Sequence, residues 1–208
     1  MRGKADELYT FDARFGGLVA GTDEVGRGCL AGDVYAAAVL LGPKAVPIGG
    51  LDDSKKISPA NRVRIAAEIE TCALAWAVAS ASVEEIEKIN ILRAAQLAMR
   101  RAVEGLGVKP EILLVDGPYA EGFPCESFAV VGGDRKSAAI AAASILAKVT
   151  RDRYMGEMAA VYPGYGFERN MGYGSAAHRA ALLERGPCAI HRTLFLRKIL
   201  GGKTGPTE

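Results

Sequence analysis

Four carboxylates stand where chemistry could be done: Asp23, Glu24, Asp116 and Asp134. The run Leu18-Val19-Ala20-Gly21-Thr22 leads into Asp23-Glu24, Ile112-Leu113-Leu114-Val115 leads into Asp116-Gly117, and Asp134 follows Gly132-Gly133. Any one acid at a strand end has an ordinary explanation, since Asp and Glu favour turns and avoid cores. Several at one end of a sheet repel each other and call for a counter-cation. All-oxygen donors select a hard divalent ion, Mg2+ or Mn2+, which keeps waters and binds substrate phosphate. Zinc has no matching donor set, because His178 and His191 are the two histidines and Cys29, Cys72, Cys125 and Cys188 are scattered.

The acidic pair is followed at once by Gly26-Arg27-Gly28. Such a turn lets backbone amides approach a ligand while the arginine reaches a phosphate. Asp52-Asp53-Ser54-Lys55-Lys56 offers lysines as phosphate point charges, although a solvated charge run reads the same way. In the stretch from Tyr162 to Gly174, aromatics alternate with glycine and arginine, as in a stacking platform for bases or sugars. Tyr173 is the candidate there; Phe167 and Tyr165 are expected in the core. Neither G-x-x-x-x-G-K-S/T nor G-x-G-x-x-G occurs, so P-loop hydrolysis and dinucleotide redox chemistry have no support.

Charge divides along the chain. Residues 1–134 carry 14 Lys and Arg against 19 Asp and Glu, and residues 135–208 carry 12 against 5. An acidic metal cluster joined to a basic flank suits a polyanion, because Lys and Arg contacts to phosphate supply most non-specific nucleic-acid affinity. At 208 residues, half of them hydrophobic, the chain is long enough for one well-cored domain. No apolar run approaches the roughly 18–20 residues of a membrane span. The charged N-terminus lacks the apolar stretch of a secretion signal, and the scattered cysteines read as reduced thiols, so the expected setting is the cytoplasm, and the expected state a monomer.

The elements that must position these residues alternate in type. Strands are expected before Asp23, at Val34–Leu41, at Ala73–Ala81 with the single Trp76, at Ile112–Val115 and at Ser127–Val131. Ser58-Pro59 starts a helix, and the capping box Ser82-Val83-Glu84-Glu85 opens another that continues through Ile91 to Val103. Apolar residues recurring on one face predict a long helix from Ser137 to about Met158, and Ser175 caps one that stops at Gly186-Pro187. Together these predict an α/β mixed sheet covered by helices on both faces, with residues from about 160 to 208 forming a small C-terminal helical appendage.

Taken in order, Gly21 to Gly28, Asp53 to Lys56, Val115 to Gly117, Gly133 to Ser137 running on through Ala141 to Asp152, Gly172-Tyr173-Gly174 and His191-Arg192 resemble the type 2 ribonucleases H, in particular the bacterial ribonuclease HII family. One departure is Val25, where the family has a small alanine. The resemblance implies a ribonuclease H-like sheet and endonucleolytic hydrolysis of RNA in RNA/DNA hybrids, including single ribonucleotides embedded in duplex DNA. It carries over Asp23, Glu24, Asp116 and Asp134 as metal-binding catalytic acids holding one or two Mg2+ or Mn2+ ions, with 5′-phosphate and 3′-hydroxyl products. It also implies that Gly26, Arg27 and Gly28 read the ribose 2′-hydroxyl, that Tyr173 stacks near the adjoining deoxyribose, and that Ser54, Lys55 and Lys148 hold phosphates. The residues by themselves leave open another metal-dependent nuclease of the same broad fold, or a silent module that binds hybrids without cutting.

Overall fold

The computed structural model describes residues 4–42, 45–52, 54 and 57–201. Expectations for Asp53, Lys55 and Lys56 fall outside the described residues. Five strands, β1 (Val19–Val25), β2 (Val34–Leu40), β3 (Ala75–Ala81), β4 (Ile112–Asp116) and β5 (Glu126–Val130), form one mixed sheet in the order β3-β2-β1-β4-β5. The first three pair antiparallel, whereas β1, β4 and β5 run parallel.

The register explains why the acids gather. Pairing with β4 carries β1 only as far as Thr22 opposite Val115, while pairing with β2 carries it on through Asp23, Glu24 and Val25. Beyond Thr22 the β4 side of β1 is therefore open. Asp116 ends β4 as the sequence predicts, whereas Asp23 and Glu24 lie inside β1, supported on one flank only.

The helices are α1 (Lys4–Asp12), α2 (Pro59–Cys72), α3 (Val83–Ile89), α4 (Ile91–Glu104), α5 (Ala138–Val161), α6 (Phe167–Asn170), α7 (Ala176–Arg185) and α8 (Thr193–Leu196). Alternation along β2 sorts them into layers. Ala37 and Val39 face a core shared with Leu8, α2 and α5, while Val34, Ala36, Ala38 and Leu40 face a core shared with α3, α4, Leu113 and Val115. Small residues on β2 let both helix layers come close. At Gly21 the approach is closest: a Cβ there would fall on the backbone of Ala139 and Ile140, so only glycine fits.

Local signals account for most boundaries. Ser58 caps α2 through the Asn61 N–H with Pro59 in the first turn, and Ser82 and Glu85 form the reciprocal capping box of α3. Three details differ from the sequence reading. The helix expected to run on through Ile91 breaks at Asn90, whose φ of 67° ends α3 while its side chain accepts the N–H groups of Leu92 and Arg93 and caps α4. The third strand begins at Ala75, because the Ala73 N–H still bonds to Ile69 and closes α2. Helix α1 has no sequence counterpart: its charged surface hides the periodicity, yet Leu8 is 1% exposed and anchors it. Past α5, helices α6 to α8 close over a third core of Met155, Tyr165, Phe167, Leu182 and Leu196, into which Leu30 and Ala31 insert. Phe167 and Tyr165 are buried as expected, stacked at 5.4 Å. No helix among the described residues is long and apolar enough to cross a membrane.

Candidate active site

Asp23 and Glu24 are neighbours in β1, so alternation sends them to opposite faces. Asp23 points to the α5 side and is buried; its Oδ1 accepts the Glu24 N–H at 2.7 Å. Burial pushes its carboxyl well above the usual carboxylate range, the charges of Glu24 and Asp116 push further, and the Ser144 hydroxyl on α5 pulls partly back. Glu24 faces a cleft of about 70 Å³ that it lines with Arg27, Leu92, Gln96, Asp116 and Tyr119. Its carboxyl is also raised, by burial above all, against the opposing pull of Arg27, whose Nη1 lies 3.1 Å from Oε1.

Asp116 is the last residue of β4, and its Oδ1 accepts the Gly133 N–H at 2.6 Å. That bond ties β4 to the 3-10 turn Gly133–Arg135, which carries the buried Asp134 with the Arg135 Nε 3.9 Å away. The fold thus brings Asp23, Glu24 and Asp116 into electrostatic reach and links Asp134 to them through one hydrogen bond. Among the described residues no three acidic, histidine or cysteine side chains converge as a ready-made metal cage. The donor chemistry still fits a hard divalent ion: the set is all oxygen, and burial and mutual repulsion both disfavour its charged form until positive charge arrives.

The other expected residues are placed as follows. Gly26 has φ +98°, and a Cβ on it would strike the Arg151 side chain, so the turn needs glycine there. Arg27 and Gly28 are exposed beside it. Ser54 is buried, its hydroxyl 3.0 Å from that of Ser144, so it reaches the acids through Ser144 and not from an open surface. Lys55 lies outside the described residues. Lys148 pairs with Asp152 at 2.6 Å, and its Nζ sits 5.8 Å from the centre of the Tyr173 ring. Tyr173 is 41% exposed, forms a bridge with Cys29 next to the glycine turn, and has its hydroxyl pushed up to about 12, chiefly by burial.

Two residues without an assigned role in the sequence hold this region together. Arg192, fully buried, donates Nε and Nη2 to the Gly32 carbonyl and Nη1 to those of Arg27 and Cys29. Arg151, also fully buried, donates to the carbonyls of Asp33, Met171 and Ala31. The loop from Arg27 to Asp33 thus has its main chain fixed by two guanidiniums, one from α5 and one from the C-terminal segment. Burial lowers Arg192 to about 10, which leaves it charged at neutral pH. The sequence signal was slight: both fall in stretches resembling the type 2 enzymes, and nothing local pairs them with the loop.

Known proteins of this shape agree. The model of the family Ribonuclease HII matches residues 20–198. Ribonuclease HII of Burkholderia thailandensis is 54% identical over 193 residues, 93% of this chain and 89% of that protein. The crystal structure of ribonuclease H2 from Pyrococcus horikoshii OT3 superposes with a TM-score of 0.73 at 25% identity, covering 88% of this chain and 97% of that one. The crystal structure of Bst-RNase HIII in complex with Mn2+ matches in fold with a TM-score of 0.71 at 19% identity, over 96% of this chain and 73% of that one. With its family pattern matched from β1 to past α8 and its sheet shared with these enzymes, the chain belongs to the ribonuclease HII family.

Proposed function

We propose that this ribonuclease H-type endoribonuclease is divalent-metal dependent, hydrolyses the RNA strand of RNA/DNA hybrids and cuts on the 5′ side of a single ribonucleotide in duplex DNA, leaving 5′-phosphate and 3′-hydroxyl ends. The observation that carries it is the placement of Glu24 and Asp116 in one cleft with Arg27 of the Gly26-Arg27-Gly28 turn, with Asp23 buried within electrostatic reach of both acids. Asp23, Glu24, Asp116 and Asp134 would hold the ion or ions. Bound there, Mg2+ or Mn2+ supplies an activated water and stabilises charge on the leaving 3′ oxygen.

The chain's own part is to orient. Gly133 fixes one oxygen of Asp116, and the Glu24 N–H fixes one oxygen of Asp23, so the acids present the ion with preset geometry. The turn at Gly26, with its main chain clamped by Arg192, offers donors and acceptors to a 2′-hydroxyl, the group that distinguishes RNA from DNA. Tyr173, with Lys148 and Arg151 near its ring, supplies a flat face for the neighbouring sugar. Lys55 and Lys148 complete the proposed phosphate contacts, and Ser54, buried with its hydroxyl at Ser144, supports the acids instead. The basic segment that begins just before α5, with α6 to α8 packed around Met155 of that helix, fits a duplex partner.

The test is cleavage of an end-labelled duplex carrying one ribonucleotide, beside an all-DNA control, with Mg2+, Mn2+ or chelator. Metal-dependent cutting 5′ of the ribonucleotide alone supports the reading. Equal cutting of both duplexes would replace it with a general nuclease, and tight binding without cutting with a silent module.

A further inference from the structure

Behind Tyr173 lies a buried chain of polar contacts that the chemistry above does not use. The Cys188 N–H donates to His191 Nδ1 at 2.9 Å, His191 Nε2 meets His178 Nε2 at 3.0 Å, and His178 Nδ1 meets the Tyr173 carbonyl at 2.9 Å. His178 is 0% exposed and His191 3%. The Tyr173 end has fixed polarity: a carbonyl only accepts, so His178 carries its proton on Nδ1 and, when neutral, presents a bare Nε2. His191 then donates from Nε2, which leaves its Nδ1 unprotonated to accept the Cys188 N–H at 2.9 Å, the shorter of its two main-chain contacts with Cys188, whose carbonyl lies 3.3 Å away. The Cys188 thiol, 3.1 Å from the same Nδ1, fits this order as a second donor. An extra proton on His178 would set N–H against N–H at the central contact, and one on His191 Nδ1 would face the Cys188 N–H. Burial, which lowers both imidazoles and takes His191 to about 4, keeps the rings neutral.

We infer that His178 and His191 are positioning residues for the substrate-facing Tyr173, acting as a one-way hydrogen-bond chain that sets its main chain. The inference rests on the proposed stacking role of Tyr173. Its N–H donates to the Asn170 carbonyl, its carbonyl accepts from the Ser175 N–H as well as from His178, and it follows two residues with left-handed backbone, Met171 and Gly172. The backbone of such a turn sets the direction of a ring that is partly exposed and has Lys148 and Arg151 beside it. The same chain reaches the sugar-reading loop through the bridge of His191 with Ala31, which places both proposed recognition elements on one support.

Two measurements on the full chain test this. Nitrogen-15 NMR of the imidazoles in the wild-type protein at neutral pH should show His178 protonated on Nδ1 and His191 on Nε2; the reverse tautomers would overturn the inference and leave the stacking role untouched. In single-ribonucleotide cleavage, His178→Phe, which keeps shape without a donor, should lose about tenfold in kcat/KM, the scale of one hydrogen bond. His178→Asn, with a donor near the Nδ1 position, should recover most of the loss, and in a Tyr173→Ala background His178→Phe should cost nothing further. Full additivity, or an Asn variant as impaired as a Phe variant that folds or fails to fold, would reduce the pair to structural packing and overturn the inference. Unchanged kinetics in Tyr173→Ala would overturn the stacking reading and this inference with it, even with the expected tautomers present.

Discussion

Asp12 allows a stability prediction worked through from the structure. It ends α1, is 9% exposed, and its Oδ2 accepts the Ala139 N–H at 2.9 Å, at the N-terminus of the central helix α5. Its Oδ1 is buried without a hydrogen-bond partner among the described residues. Burial raises its carboxyl from 3.8 to about 6, against the smaller opposing pull of Ser137 and of the N–H groups of Ala139 and Ala138. The folded protein therefore binds this proton more tightly than the unfolded chain does. The resulting stabilisation is complete below the unfolded value and is lost as pH rises through the folded one. A shift of about two units corresponds to about 3 kcal/mol, of which roughly 2–3 kcal/mol is lost between pH 4 and 7.5. Asp12→Asn keeps the acceptor for Ala139 and does not titrate, so groups common to both proteins cancel in the comparison. Urea unfolding followed by circular dichroism at the two pH values should show the variant gaining roughly 2–3 kcal/mol on wild type from the lower pH to the higher. On thermal unfolding that is roughly 5–10 °C in relative Tm for a chain of this size. An identical gap between the two proteins at both pH values would refute the reasoning.

Other substitutions separate charge, recognition and packing. Asp23→Asn or Asp116→Asn should abolish turnover in Mg2+ or Mn2+ while hybrid binding by gel shift stays close to wild type, since the basic flank is untouched; retained cleavage would sink the assignment. Arg27→Ala should change stability by no more than about 1 kcal/mol, because its ion pair with Glu24 is half exposed, yet slow cleavage at a ribonucleotide markedly. Gly21→Ala should cost roughly 3 kcal/mol or more in chemical unfolding, because its Cβ would meet helix backbone that has no room to yield. Tyr173→Ala should lower the rate at a ribonucleotide junction by roughly 1–3 kcal/mol of lost stacking, read as kcat/KM.

Legibility in the sequence followed the range of the physics involved. Capping residues such as Ser58 and Ser82, and the glycines flanking the acids, act on neighbours within four positions, so helix starts and the carboxylate set could be read directly. Asn90 shows the limit: the apolar spacing on both sides of it is helical, and only a backbone turned to positive φ ends one helix and caps the next.

By itself, then, the sequence determined the mixed sheet between helix layers and the family, and it marked four acids and a glycine-arginine-glycine turn as candidates, because periodicity, capping and contiguous motifs are local properties. Tertiary structure alone decided what holds those parts in place. Arg192 reaches the Gly32 carbonyl across 160 positions, Asp12 caps α5 across 127, and Ser54 meets Ser144 across 90. Such contacts join polar groups that leave no periodic trace in the chain. They are favourable only once folding has removed water from around them, where a satisfied donor is stabilising and an unsatisfied one costly.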